Sequence, residues 1–515
     1  MNCLFIFALL VPLLPLLAAG GIGVYALKGA AGDAGDAAEA PTARLAEGAA
    51  ALALLLLLGL DLLAWREGVP GHFVVGTWFA SGSFVVPLSF FLDLPALGFA
   101  TVVALIGLVT LRFSRQYLHR EAGFHRFFLL MSLFLAGMLL IVLAGNAVLA
   151  FVGWELCGIS SYLLIGYAYE RPVATGNALH AFLTNRIGDA GFLLGIALAS
   201  GWVGTVEWNG LADWAAAGLD GERLDKVMAR LLLFGFLLAA VIKSAQVPFA
   251  AWIARALEGP TPSSAIFYGA VMVHAGVFLV LRLAPLLQQV PDIMVYLAIL
   301  GALTALYGWL GGLVQTDVKS SLIFATTTQV GLMFLICGLG GFDLAAVYLM
   351  LHALWRAWQF LLAPSYMHLA TGKARPVPAW LASQQWLYTA ALRRFWLDPL
   401  ARSTVVKPVE AIGRDVRDFD DNVLAHLVGM PERRRAGTPS ADDDVIRAHG
   451  LAGRLLRWTA ERCQRLESHL VMQNREGPAV RLLRHLGGYL AVFEALLERP
   501  RYLVVAIAIT FVVIL

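Results

Sequence analysis

Residues 234–253 read FGFLLAAVIKSAQVPFAAWI. The stretch is apolar at both ends and long enough to enter a bilayer, whose ~30 Å hydrocarbon core takes ~20 helical residues. Lys243 stands in its middle and Pro248 follows closely. The composition decides how such a stretch is read. Of 515 residues, 59% are hydrophobic and 14% charged, against about half apolar and about a quarter charged in a soluble domain. The chain reads as an all-α polytopic membrane protein.

Outward from this stretch, apolar runs predict about eleven helices before residue 369 and one after residue 498. Their spans are 3–27, 47–65, 93–114, 126–143, 146–168, 177–201, 229–250, 261–285, 292–314, 319–340, 343–368 and 499–515. The first run has no basic n-region, and Lys28 follows it, so it reads as a retained helix and not a signal peptide. Residues 68–92, VPGHFVVGTWFASGSFVVPLSFFLD, are apolar but interrupted by Gly and Ser, and predict an extended hairpin over the helix ends.

Short-loop basic residues gather on one side: Lys28, Arg44, Arg112, Arg115, Arg120, Arg126, Arg171 and Arg255. The other side carries Glu207, Asp213, Asp220, Glu222 and Asp225. The asymmetry places the first side in the cytoplasm and the N-terminus outside, in a bacterial inner membrane. The polar stretch 369–498 then lies in the cytoplasm. Within it, GRLLRWTAERCQRLESHLV is an amphipathic helix able to lie on the membrane or a partner, or one arm of a solvated helical hairpin.

Several function classes are excluded. A formal net charge of +3 gives no footprint for nucleic acid. Cys3, Cys157, Cys337 and Cys463 are scattered, without CxxC or His-paired spacing, so no metal site or disulfide framework is expected. Neither a GxGxxG fingerprint nor a P-loop is present. No cofactor is expected in this chain.

The informative residues are ionisable ones inside apolar helices, where each costs at least ~2.5–3.5 kcal/mol on insertion scales. They recur: Glu155, then Arg186 and Asp189, Lys243, His274, Asp317 and Lys319, His352 and Arg356. Burial and pairing shift the proton affinities of Lys and Glu in opposite senses, and histidine titrates near neutrality. A row of Glu, Lys and His across several helices is what a proton relay needs. Arg356 stays charged and suits a fixed field instead. Static readings stand beside these: a satisfied bundle histidine for His274, ion-pair anchors for Arg186 and Asp189, snorkelling residues for Asp317 and Lys319. Pro248, Pro260 and Pro262 predict a helix break near Lys243, and a break at membrane depth is tolerated inside protein or beside a hydrated cavity.

The stretches WELCGISSYLLIG, TNRIGD, IKSAQVPFAAW, EGPTPSSA, QTDVKSSLIFATTTQVG and HALWRAWQFL, in this order, resemble the antiporter-like proton-channel subunits of respiratory complex I. The L-type subunit, related to the large subunit of Mrp antiporters, is the best match. FWLDPLARSTVVKPVEAIGRDVRDFDDNVL also looks like the L-type C-terminal region. The resemblance covers roughly residues 90–370. It implies two inverted five-helix repeats, each with a broken helix and a proton path. It assigns Glu155 as the charged partner, Lys243 as the switching lysine, Lys319 to an Asp–x–Lys pair and His352 to a histidine relay.

The departures are specific. Tyr268 and Tyr348 stand where the family often has histidines, with His274 a candidate to compensate. Arg356 replaces a connecting lysine. The polar tail begins where helices of a second repeat are expected. The expected divisions are 1–92 (N-terminal helices and hairpin), 93–285 (first repeat), 286–368 (partial second repeat), 369–498 (tail) and 499–515 (a last span). The leading reading is a proton-translocating subunit working with other membrane subunits. The alternatives are the membrane subunit of a two-component inorganic-carbon uptake system with a soluble zinc partner on the tail, an Mrp-type antiporter subunit, and a non-conducting structural member.

Overall fold

The computed structural model describes residues 2–27, 36–82, 84–217, 223–369, 376–419 and 458. The chain divides into two units, residues 1–406 and residues 407–515. The second unit contributes one described helix, Lys407–Phe419. The predicted amphipathic helix, apart from Trp458, and the predicted span 499–515 lie outside the described residues.

The first unit opens with α1 (Asn2–Leu27) and α2 (Asp36–Glu67). The second helix is longer than its apolar run because the Ala-rich segment before it, a strong helix former, continues the spiral. A two-stranded antiparallel hairpin follows, β1 (Gly71–Ser81) and β2 (Phe84–Leu92), with Gly71 opposite Leu92 and Ser81 opposite Phe84. Then come α3 (Leu94–Tyr117), α4 (Phe124–Leu143), α5 (Ala147–Ile165), α6 (Pro172–Leu198), the short α7 (Trp208–Ala216) and α8 (Arg223–Lys243). Eight helices among the described residues are long and apolar enough to cross a membrane.

Some helix starts are fixed by side-chain caps. The Asp93 carboxylate accepts from the Ala96 amide at 2.9 Å, and the Asn146 side chain accepts from Leu149 at 2.8 Å. Such caps satisfy donors that a helix N-terminus leaves unpaired. Asn146 does a second job: its amide donates to Pro87 O at 2.8 Å and Ser89 Oγ at 2.9 Å, tying β2 to the start of α5. The neighbouring Gly145 admits no side chain, since a Cβ there would lie 2.6 Å from Ser89 Oγ.

Two predicted helices are interrupted. The span expected over 229–250 ends at Lys243, before Pro248, and the chain re-enters helix at α9 (Ala251–Arg255). The span expected over 261–285 divides into α10 (Thr261–Ser264), a π-helical turn (Ala265–Ala270) and α11 (His274–Arg282). Pro260 and Pro262 sit at the start of α10, where a missing amide proton costs nothing. They begin a helix; they do not break one. After α12 (Ala284–Gln288) come α13 (Pro291–Gly312), α14 (Val318–Gly338) and α15 (Phe342–Leu369). Backbones of α13 and α14 touch at Gly301, where a Cβ would be 2.4 Å from Leu335 N. Such close approach through small residues is how membrane helices pack without a hydrophobic driving force.

Beyond α15 the described residues of this unit form only short pieces: α16 (Ala379–Ser383), α17 (Gln385–Leu392), α18 (Leu397–Ala401) and a π-helical turn over Arg402–Val406. Arg394, Phe395 and Trp396 link α17 to α18 with φ of 51°, 54° and 55°, a left-handed turn made without glycine.

Candidate functional site

Lys243 is the last residue of α8 and 1% exposed. The helix stops there without orphaning its carbonyls. Ser244 N donates to Ala240 O at 3.0 Å, Gln246 N to Val241 O at 2.9 Å, and the Trp252 indole to Ile242 O at 2.9 Å. Ala245 takes a left-handed φ of 50°, turning the chain out of the helix.

The Lys243 ammonium donates to Trp154 O at 3.2 Å and lies 4.8 Å from the centre of the Trp154 ring. The Trp154 indole donates to Asp189 Oδ1 at 2.9 Å. Asp189 Oδ2 is 2.8 Å from Arg186 Nη2, and Arg186 Nη1 donates to Glu155 Oε2 at 2.5 Å. Glu155 is therefore paired with Arg186, and Lys243 reaches the carboxylates through Trp154. Two acids and two bases balance within this group. Its exposure is graded: 31% of the Arg186 side chain and 19% of Glu155 are accessible, against 6% of Asp189. Gly158 makes the space between the cations, since a Cβ there would lie 3.0 Å from Arg186 Nη2 and 3.7 Å from Lys243 Nζ.

A second group forms where α11 begins. His274 Nε2 is 2.9 Å from His352 Nδ1, and His352 Nε2 is 3.5 Å from Arg356 Nη2. All three residues are buried. A guanidinium only donates, so His352 Nε2 is the acceptor and its proton sits on Nδ1. His274 Nε2 then accepts, and its Nδ1 carries a proton with no partner in this buried site. The network thus points one way, from Arg356 through His352 to His274. Arg356 Nη1 also donates to Gln359 Oε1 at 2.9 Å, and Tyr348 donates to Gln329 Oε1.

The two groups meet at their helix breaks. Ser244, next to Lys243, donates from Oγ to the carbonyl of Val273, next to His274. Asp317 and Lys319 join neither group. Asp317 is the N-cap of α14, accepting from Ser320 N at 2.8 Å, and Lys319 lies half-buried in the first turn. Pro248 lies in the loop after the first break, with a cis Val247–Pro248 bond. Among the described residues no cluster of His, Cys, Asp or Glu could hold a metal ion.

Trp154, Gly158, Ser244 and Gln329 are the residues that reading the sequence for charge passes over. Trp154 is adjacent to Glu155 and could have been flagged as a donor; the others carry no signal without the packing.

Two family models match this sequence. The model described as NADH:quinone oxidoreductase/Mrp antiporter, TM, matches residues 144–379, and the one described as NADH-Ubiquinone oxidoreductase (complex I), chain 5 N-terminus, matches residues 78–128. NADH-quinone oxidoreductase subunit L of Mycobacterium tuberculosis is 38% identical over 316 residues, 61% of this chain and 49% of that protein. The chloroplastic NAD(P)H-quinone oxidoreductase subunit 5 of Marchantia polymorpha is 37% identical over 307 residues, 59% of this chain and 44% of the relative. The chain thus spans about half the length of the curated relatives it matches. In fold it is similar to a chain of the Mrp complex from a Dietzia species (TM-score 0.59, 23% identity, 95% of this chain and 62% of that one). A chain of the archaeal membrane-bound sulfane sulfur reductase complex is also similar (TM-score 0.61, 21% identity, 78% of this chain and 82% of that one).

Proposed function

We propose that this chain, which belongs to the antiporter-like membrane-subunit family shared by NADH:quinone oxidoreductases and Mrp antiporters, moves protons across the membrane as one subunit of a larger complex. The observation that carries this reading is Lys243: a buried ammonium at a helix break, one tryptophan away from a balanced Glu155–Arg186–Asp189 group. A protonated lysine is donor-only; after losing its proton it also accepts. Because the group is neutral with Lys243 charged, the loss of that proton leaves one uncompensated negative charge in a low-dielectric site. Arg186, the most accessible member, is the group free to respond. The seam of Ser244 and Val273 joins this group to His274 and His352, whose hydrogen bonds run from Arg356 toward the seam, and Arg356 holds a fixed positive charge at the far end.

The basic side, with Arg112, Arg115, Arg171 and Arg255, faces the cytoplasm in this reading. The energy comes from a reaction in partner subunits of the membrane. A second reading rests on the polar stretch that begins where helices of a second repeat are expected: an inorganic-carbon uptake subunit with a soluble zinc partner docked on the tail.

The test is purification of the tagged chain with its partners in mild detergent, and proton uptake by vesicles carrying wild type or Lys243→Met. Flavin and iron–sulfur absorbance, with uptake lost in the mutant, supports the first reading. A colourless complex with one zinc protein selects the second. Unchanged uptake by an assembled Lys243→Met complex sinks the role given to the lysine.

A further inference from the structure

Helices α2 and α3 lie antiparallel, Glu47 meeting Arg112 at one end and Asp61 meeting Thr101 toward the other. Each carries a line of residues that changes from basic to apolar. On α2 it runs Arg44, Gly48, Leu52, and on α3 it runs Arg112, Val109, Leu105. Spacings of three and four stack such residues on one helix face. Between the two lines lies a shallow hollow of about 480 Å³, with Arg44, Glu47 and Arg112 at its polar end and Gly48, Ala51 and Leu108 among its walls. It sits at the polar–apolar boundary, since the apolar runs of these helices cover 47–65 and 93–114. Arg112 donates from Nη1 to Glu47 Oε2 at 3.1 Å, yet 71% of its side chain stays accessible. Arg115 Nη1 is 4.0 Å from the same oxygen. Arg44 is exposed and has no hydrogen-bond or ion-pair partner among the described residues. One carboxylate thus stands against three guanidiniums, and two positive charges remain. A Cβ on Gly48 would meet nothing within 4 Å, so the protein leaves this space open. Leu52, Leu105 and Val109 are exposed where the lines continue into the apolar run.

We infer that this hollow binds the headgroup of an anionic phospholipid. Arg44 and Arg112 hold the phosphate, and the first carbons of the acyl chains lie along Leu52, Leu105 and Val109. The guanidinium fork matches the geometry of a phosphate and is only weakly hydrated, which suits it to this interface. Basic pockets between membrane helices recognise anionic headgroups in the same way. Glu47, 9% exposed, is the positioning residue: it fixes the Arg112 guanidinium without cancelling the charge of the site. A soluble phosphate would meet the same two arginines but would make no use of the apolar lines that lead from them into the bilayer. Both helices are long and apolar enough to cross the membrane, so the open side of the hollow faces lipid.

The test is photocrosslinking of the full complex, purified in mild detergent, with phosphatidylglycerol that carries a diazirine near the head of one acyl chain. The labelled peptides are then mapped by mass spectrometry. Wild type is expected to be labelled on the peptides holding Leu52, Leu105 and Val109. Unlabelled phosphatidylglycerol should compete for these sites, and phosphatidylcholine should not. Arg44→Gln is expected to weaken lipid retention about fivefold, the ~1 kcal/mol that one basic side chain contributes at an anionic surface. Gly48→Phe puts a ring into the open space and is expected to abolish the labelling. Equal competition by phosphatidylcholine would mean that the arginines only reach the interface, and would overturn the site. Displacement of the probe by inorganic phosphate would make it a soluble-anion site and overturn the lipid as its occupant. Unchanged labelling of an assembled Gly48→Phe complex would place the lipid elsewhere. Should that variant not assemble, wild-type retention by Arg44→Gln overturns the proposal.

Discussion

Ser244 Oγ donates to Val273 O at 2.6 Å, so the residue after Lys243 is bonded to the residue before His274. Two helices are thus cut at the same place and fastened together at the cut. Gly276 makes this possible: a Cβ there would lie 2.2 Å from both Ala240 O and Ser244 Oγ.

Ser244→Ala removes the bond and leaves the Val273 carbonyl unpaired. The expected loss is about 0.5–1.5 kcal/mol for the hydrogen bond itself, read as a lower unfolding temperature of the purified complex, together with slower proton uptake. Gly276→Ala forces the helices apart and is expected to cost more, about 1–3 kcal/mol as overpacking. Equal melting of the two mutants and wild type would show that the seam is not structural.

Arg186 bridges Asp189 and Glu155. Arg186→Met leaves two carboxylates facing one another, and removing one partner from a buried pair costs about 3–5 kcal/mol. The expected result is little assembled complex on a native gel. Arg186→Lys keeps the charge but loses the planar fork; it should assemble and pump more slowly. Normal yield of the methionine variant would mean that the group is less desolvated than its geometry implies.

Arg356 donates to Gln359 and lies at donor distance from His352. Arg356→Lys keeps one donor and the positive charge, and should retain partial proton uptake. Arg356→Met frees His352 Nε2 and removes what fixes its tautomer, so uptake should fall further. Identical rates in the two variants would argue against the directed histidine chain.

Asp317 caps α14 and joins neither buried group. Asp317→Ala should lower stability by about 0.5–2 kcal/mol, the ordinary value of an N-cap, and leave the rate per assembled complex near wild type. A rate collapse with unchanged melting would show that Asp317 also supports transport.

Much of the architecture is legible in the sequence because hydrophobic run length reports directly on membrane helices. The 319–340 run, for example, falls within two residues of α14. Breaks are harder to place. Proline advertises a missing donor, yet the helix ends at Lys243 and Ala245, where no residue type announces a left-handed turn. The charged residues announce themselves by the cost of burying them, but their partners do not. Glu155 and Lys243 are both conspicuous, whereas the Arg186 and Trp154 contacts between them come from how α5, α6 and α8 pack. Asp317 shows the converse: an acid conspicuous in the sequence by its charge, whose contact in the fold is a helix cap that the sequence reading did not assign.

The charge balance around Lys243 has a consequence for biogenesis. A chain is made from its N-terminus, and its domains fold in that order. Glu155, Arg186, Asp189 and Lys243 all lie within 155–243, so a nascent chain holds a neutral set by the time α8 leaves the ribosome. Its helices can partition into lipid with their charges already matched. The histidine pair waits for α15, and the ion pair that clasps Asp398 to Arg255 waits longer still. The clasp is therefore the last of these contacts to form, after the charges around the lysine are already matched.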